Sequence, residues 1–134
     1  GHLLERIPPM KKVYVLDDSA VVRERLIDML SELEEVGIIG VTGNPQEAMA
    51  SIRKLAPDAV ILDIRLPGGS GIDILRSIKR EKLAPLVIML TSYSYPQYRK
   101  ECEDVGADYF LNKSTDFDKI GEILKQLVPG SRPP

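Results

Sequence analysis

The sequence predicts an α/β domain, a parallel sheet of five strands covered by helices on both faces. Short apolar runs alternate with longer amphipathic segments from about Lys12 to Val128, the rhythm of successive strand–helix units. The runs are apolar almost throughout, as strands buried on both sides are. Four of the five also end on a group able to bind a cation or a phosphoryl oxygen. In open sheets of this kind, ligands sit beyond the carboxyl ends of the strands, near the point where the winding reverses.

"KVYVLD" is the first strand. The first helix follows, with Val22, Leu26, Met29, Leu30 and Leu33 forming one apolar stripe and Arg23, Glu24, Glu32 and Glu34 lying off it. "IIGVTG" is the second strand. Asn44 then supplies an N-cap, Pro45 a first helical residue and Glu47 the acid of a capping box. Pro57 closes this second helix before the third strand, "DAVILD". "GIDILRSIKREK" reads as the third helix and "LVIMLT" as the fourth strand. "PQYRKECEDVGA" is a more polar fourth helix ended by Gly106, "DYFLNK" the fifth strand, and "STDFDKIGEILKQLV" the fifth helix. Residues 11–128 are expected to form the domain. Residues 1–10 are an N-terminal extension whose opening Gly-His reads as an expression remnant, and 129–134 a Pro/Gly-rich tail or the start of a linker.

The 134 residues fit one compact domain, and 43% apolar with 28% charged residues is ordinary for a globular chain. A net charge of −2 does not suggest a nucleic-acid-binding surface. Cys102, the only cysteine, excludes an internal disulfide and a cysteine-based zinc site and fits a reducing compartment. No apolar run approaches the length of a bilayer span, and the N-terminus lacks a signal-peptide pattern. A cytoplasmic location is expected.

Asp17-Asp18 end the first strand, Asp63 the third, Thr91-Ser92 the fourth and Lys113 the fifth. The second ends in Gly43-Asn44, plain turn and cap chemistry. Singly, each group has an ordinary explanation. Asp18 and Ser19 can cap a helix, Asp63 can open a turn, Thr91 can be structural, and Lys113 can be a solvated charge. At one sheet edge they form a set. Three converging carboxylates need a cation among them, and oxygen-only ligands suit Mg²⁺. One carboxylate can then attack a phosphoryl group to form an aspartyl phosphate, with the metal, a lysine and a hydroxyl meeting the charge on its oxygens. Other motifs fail. "GGSGI" misses the G-x-S-x-G elbow at Ile72, His2 is the only histidine, and there is no Walker A sequence and no G-x-G-x-x-G after a strand.

"VLDDS", "VILDIRLPGGSGIDIL", "VIMLTS" and "GADYFLNK", in this order, resemble the response regulator receiver domains of two-component signalling. The resemblance covers about Lys12 to Val128. It implies a flavodoxin-like, doubly wound (βα)5 fold with strand order 2-1-3-4-5. It also implies that Asp63 is the phosphoacceptor, Asp18 a direct Mg²⁺ (or Mn²⁺) ligand and Asp17 a ligand largely through metal-bound water. Arg65 would lend its backbone carbonyl to the metal. Thr91 would be the hydroxyl that moves to the phosphoryl group, Lys113 the cation beside it, and Phe110 the aromatic that turns inward as Thr91 moves. The implied donor is a histidine kinase or histidine phosphotransfer protein. The implied output is a change in the face of helix four, strand five and helix five, read by a partner, an output domain or a second receiver in a homodimer. Direct nucleic-acid contact and membrane insertion are not expected, nor is separate substrate turnover.

This sequence departs from the family pattern at Ser114 and Phe110. Ser114 follows Lys113 where many relatives have proline, which leaves that peptide's geometry open. Phe110 replaces the commoner tyrosine, so a switch must work by packing. Arg65 and Tyr93 stand two residues after Asp63 and Thr91, where bulk is expected to slow loss of the phosphoryl group. Tyr93, Tyr95 and Tyr98 read as local packing around Pro96, with a partner surface as the functional alternative. Two other functions compete. A haloacid-dehalogenase-type phosphatase lacks its D-x-D signature, since Ser19 stands two residues after Asp17. A receiver-like interaction module that is never phosphorylated is disfavoured by Asp63, Thr91 and Lys113 together.

Overall fold

The computed structural model describes residues 10–128. Nearly all of the N-terminal extension, with Gly1 and His2, lies outside the described residues, as does the tail 129–134. Strands β1 (Lys11–Leu16), β2 (Val36–Thr42), β3 (Ala59–Leu62), β4 (Leu86–Thr91) and β5 (Tyr109–Asn112) alternate with helices α1 (Ala20–Ser31), α2 (Pro45–Leu55), α3 (Gly71–Arg80), α4 (Pro96–Val105) and α5 (Lys119–Gln126). The five strands form one parallel sheet in the order β2-β1-β3-β4-β5. Winding reverses between β1 and β3, which opens a crevice above their carboxyl ends.

Successive strand residues point to opposite faces, and the two cores divide accordingly. Tyr14, Leu16, Val60, Leu62, Val87 and Met89 pack under α2, α3 and α4. Val13, Val15, Ala59, Ile61, Ile88 and Leu90 pack under α1 and α5. The α1 stripe behaves as expected: Leu26 and Leu30 are buried, and Val22, Met29 and Leu33 pack beside them. Burial on both faces explains the near-continuous apolar strands.

Several local signals are realised with changes. Ser19, not Asp18, caps α1, its Oγ accepting from Val22 N–H at 3.2 Å. Asn44 caps α2 by accepting from Glu47 N–H at 2.9 Å. The return half of that box is indirect. Thr42 Oγ1 accepts from Asn44 N–H at 3.1 Å and donates to Glu47 Oε2 at 3.0 Å. Gly106 ends α4 at φ 115°, in the left-handed region glycine tolerates.

The fifth helix starts at Lys119, not at Ser114. Asn112 Oδ1 accepts from Ser114 and Thr115 N–H, and Asp116 Oδ2 accepts from Asn112 N–H at 2.9 Å. These side-chain bonds give the intervening loop a stable alternative to helix. The Lys113–Ser114 peptide is trans, as there are no cis peptide bonds among the described residues. A short antiparallel pair, Arg65–Leu66 with Gly69–Ser70, shapes the turn after β3.

Candidate functional site

The crevice above β1 and β3 gathers the three acids. Asp17, Asp18 and Asp63 each place a carboxylate oxygen within 4.8 Å of the others. Asp17 and Asp63 are buried, at 1% and 5% exposure, and Asp18 is exposed. β1 positions the pair. The Asp17 N–H donates to Thr42 O at 2.9 Å, its Oδ1 accepts from Ser19 N–H at 2.9 Å, and its main-chain carbonyl accepts from Arg23 Nη1 at 2.7 Å. β3 positions Asp63. Its N–H donates to Leu16 O at 2.8 Å, and its Oδ1 accepts from Ile64 N–H at 2.8 Å.

Lys113 comes from the far side of the sheet and joins the two buried acids. Its Nζ lies 2.8 Å from Asp17 Oδ2 and 3.0 Å from Asp63 Oδ2. The Asp63 contact is a hydrogen bond. The Asp17 contact is a close ion pair between two largely buried groups. The Lys113 main chain is fixed in turn, its N–H donating to Thr91 O at 2.9 Å.

Three carboxylates thus face one ammonium, and the electrostatics follow. Burial, reinforced by the Asp17 charge, pushes the Asp63 carboxyl up to about 6, even though Lys113 and the Ile64 N–H oppose the rise. Burial pulls the Lys113 ammonium down, but its contacts with Asp17 and Asp63 outweigh this and leave it above its ordinary value. All-oxygen donors and an excess of negative charge suit a hard divalent cation.

Thr91 is fully buried at the end of β4, and its Oγ1 accepts from Tyr93 N–H at 3.0 Å. Phe110 is buried on β5 with the Arg99 guanidinium 4.7 Å above its ring. Arg65 sits in the turn after Asp63, and its guanidinium lies 4.5 Å from the Tyr93 ring centroid. The Tyr93–Tyr95 and Tyr95–Tyr98 rings are tilted neighbours at 5.9 and 5.6 Å. The tyrosines therefore pack on one another and on Arg65 at the mouth of the site.

Sequence reasoning missed two supports. Arg23 is simply an off-stripe helix residue in the sequence, and its bond to the Asp17 carbonyl had no visible signal. Gly71 lies so close to Asp63 that a Cβ there would fall 1.8 Å from the Asp63 carbonyl oxygen. Its place within "LPGGSG" was the available hint.

Residues 13–125 match a family model described as the response regulator receiver domain. The DNA-binding transcriptional activator DevR/DosR of Mycobacterium tuberculosis is 31% identical over 121 residues, which cover 90% of this chain and 56% of that protein. The chain therefore spans only about half of that relative's length. A LuxR-family DNA-binding response regulator from Staphylococcus aureus has a similar structure, with a TM-score of 0.82 at 24% identity, over 88% of this chain and 98% of that one. A CheX–CheY–BeF3–Mg complex from Borrelia burgdorferi aligns with a TM-score of 0.77 at 28% identity, over 86% of each chain.

Proposed function

The chain belongs to the response regulator receiver domain family, and from that premise we propose that it is a phosphorylation-dependent switch whose phosphoacceptor is Asp63. The observation that carries this reading is the Lys113 ammonium held between the Asp17 and Asp63 carboxylates in the crevice above β1 and β3. In the proposed reaction an Asp63 carboxylate oxygen bonds to phosphorus as the P–N bond of a donor phosphohistidine breaks. The histidine nitrogen keeps the electron pair and takes a proton. Donors are a histidine kinase or a histidine phosphotransfer protein.

Asp17, Asp18, Asp63 and the Arg65 carbonyl would hold Mg²⁺, or Mn²⁺ in its place. When bound, that ion supplies positive charge to the phosphoryl oxygens and relieves the repulsion among the acids. Lys113 neutralises a further oxygen. Thr91 Oγ1 accepts from the Tyr93 N–H, which leaves its own proton free; to give that proton to the phosphoryl group the side chain exchanges its present place for one nearer Asp63. That exchange, with repacking of Phe110, biases the α4–β5–α5 face between two arrangements read by a partner, an output domain or a second receiver. Residues 11–128 are the switching unit. The chain acts as an acceptor in the cytoplasm rather than as an enzyme turning over a separate substrate. No helix among the described residues is long and apolar enough to cross a membrane.

The test is intact mass after incubation with acetyl phosphate. One added phosphoryl group is expected in wild type with Mg²⁺, and none after Mg²⁺ removal or in Asp63→Asn. Absence of an adduct under rapid quenching, with a phosphohistidine donor as well, would overturn the reading in favour of an unphosphorylated interaction module. The same samples followed in time check the cover made by Arg65 and Tyr93. Arg65→Ala and Tyr93→Ala are expected to lose the phosphoryl group several-fold faster.

A further inference from the structure

We propose that Arg23 is a positioning residue for the cation-binding acids, acting through the main-chain carbonyl of Asp17. The inference rests on the reading of Asp17, Asp18 and Asp63 as the Mg²⁺ site and goes beyond it by naming what aims the first two.

The carbonyl in question belongs to the peptide that joins Asp17 to Asp18. Rotation about the Asp17 Cα–C bond moves this carbonyl and the Asp18 Cα together, and with that Cα goes the Asp18 carboxylate. Arg23 Nη1 donates to this carbonyl at 2.7 Å. Gly43 lies against the same bond and leaves room for it. A Cβ there would lie 3.1 Å from Asp18 Cα, 3.3 Å from Arg23 Nη1 and 3.5 Å from Asp17 O. The preceding peptide is locked by the 2.9 Å bond from Asp17 N–H to Thr42 O. The Asp17–Asp18 link is thus gripped between α1 and the end of β2.

The grip matters most for Asp18. Asp17 and Asp63 are buried, and each is held by a main-chain N–H and by Lys113. Asp18 is exposed and lies beside two other carboxylates, whose repulsion favours rotation outward. A charge-assisted bond from guanidinium to carbonyl resists that rotation. The Arg23 charge has the opposite effect: by itself a cation near the site disfavours a divalent ion. Positioning and Coulomb repulsion therefore predict opposite signs when Arg23 is removed. A purely structural role, satisfying a buried carbonyl, predicts lower stability with unchanged metal affinity.

Isothermal titration with Mg²⁺ alone separates these cases, with thermal midpoints in EDTA as the stability control. Arg23→Met keeps the aliphatic stem and removes the donor, and it is expected to bind Mg²⁺ about tenfold more weakly. Arg23→Lys retains a cationic donor and is expected to recover most of that loss, with an EDTA midpoint near wild type. Unchanged or tighter Mg²⁺ binding by Arg23→Met would overturn the proposal, as would equal weakening in both variants. Should Arg23→Met fail to fold, weakening of Arg23→Lys to the same tenfold extent would overturn it, and near-wild-type binding would support it. Absence of Mg²⁺ binding by wild type would overturn the site reading itself, a result distinct from failure of the Arg23 variants alone.

Discussion

In the metal-free protein, ionising Asp63 places a second buried negative charge beside Asp17, with Lys113 shared between them. Burial first, and the Asp17 charge second, raise the Asp63 carboxyl from an ordinary 3.8 to about 6. The folded state therefore binds this proton more tightly than the unfolded chain does. The resulting stabilisation is full below about 3.8 and is lost as pH rises through about 6. Asp63→Asn removes the titration. In EDTA, wild type should lose on the order of 1–2 kcal/mol relative to Asp63→Asn between about pH 4 and about pH 7, after allowance for solvent screening. Urea unfolding at the two pH values measures the difference, and a constant difference would contradict this account. At this scale the sequence already displayed every acid, the hydroxyl and the lysine, because each stands at the end of a recognisable strand. The perturbed acidity was not legible, since it depends on burial and on charges brought from other strands.

Elements hold these groups through local signals and close contacts. The caps at Ser19 and Asn44 were readable because an N-cap bond spans only three residues. The late start of α5 was not, because helical periodicity cannot reveal that Asn112 and Asp116 tie up the loop between them. Gly71, the first residue of α3, has the least room for a Cβ among the described glycines. With the Asp63 carbonyl 1.8 Å from its missing Cβ, Gly71→Ala must push α3 away from the end of β3 or rotate the Asp63 peptide. The expected cost is about 1–3 kcal/mol in urea unfolding, as for other overpacked sites. Loss of Mg²⁺-dependent phosphorylation should accompany it. A variant within about 0.5 kcal/mol of wild type and phosphorylated normally would show that this approach is not needed.

Across the whole molecule, rigidity and adjustability are divided. The central strands β1, β3 and β4 are buried on both faces and locked by two cores, whereas the mouth near α4 carries the exposed Tyr93 and Tyr95 stacked beside Arg65. Phosphorylation should therefore alter amide hydrogen exchange mainly from Thr91 through α5, with β2 and α2 little changed. Exchange measured with and without acetyl phosphate in Mg²⁺ checks this, and changes spread evenly over the sheet would count against a localised switch. A single long-range tie shows how such a division is built. The buried Lys11 Nζ at the start of β1 donates to Leu124 O at 2.8 Å and to Lys125 O at 2.6 Å, anchoring the last turns of α5 to the opposite end of the sheet from the site. The alternation of strands and helices, and hence the residues at the carboxyl edge, was legible along the chain because hydrophobic periodicity and capping act over a few neighbouring residues. Folding alone brings Lys113 between Asp17 and Asp63, Arg23 onto the Asp17 carbonyl and Gly71 against Asp63. Those relations join separate elements, and their distances are set by how the helices pack on the sheet.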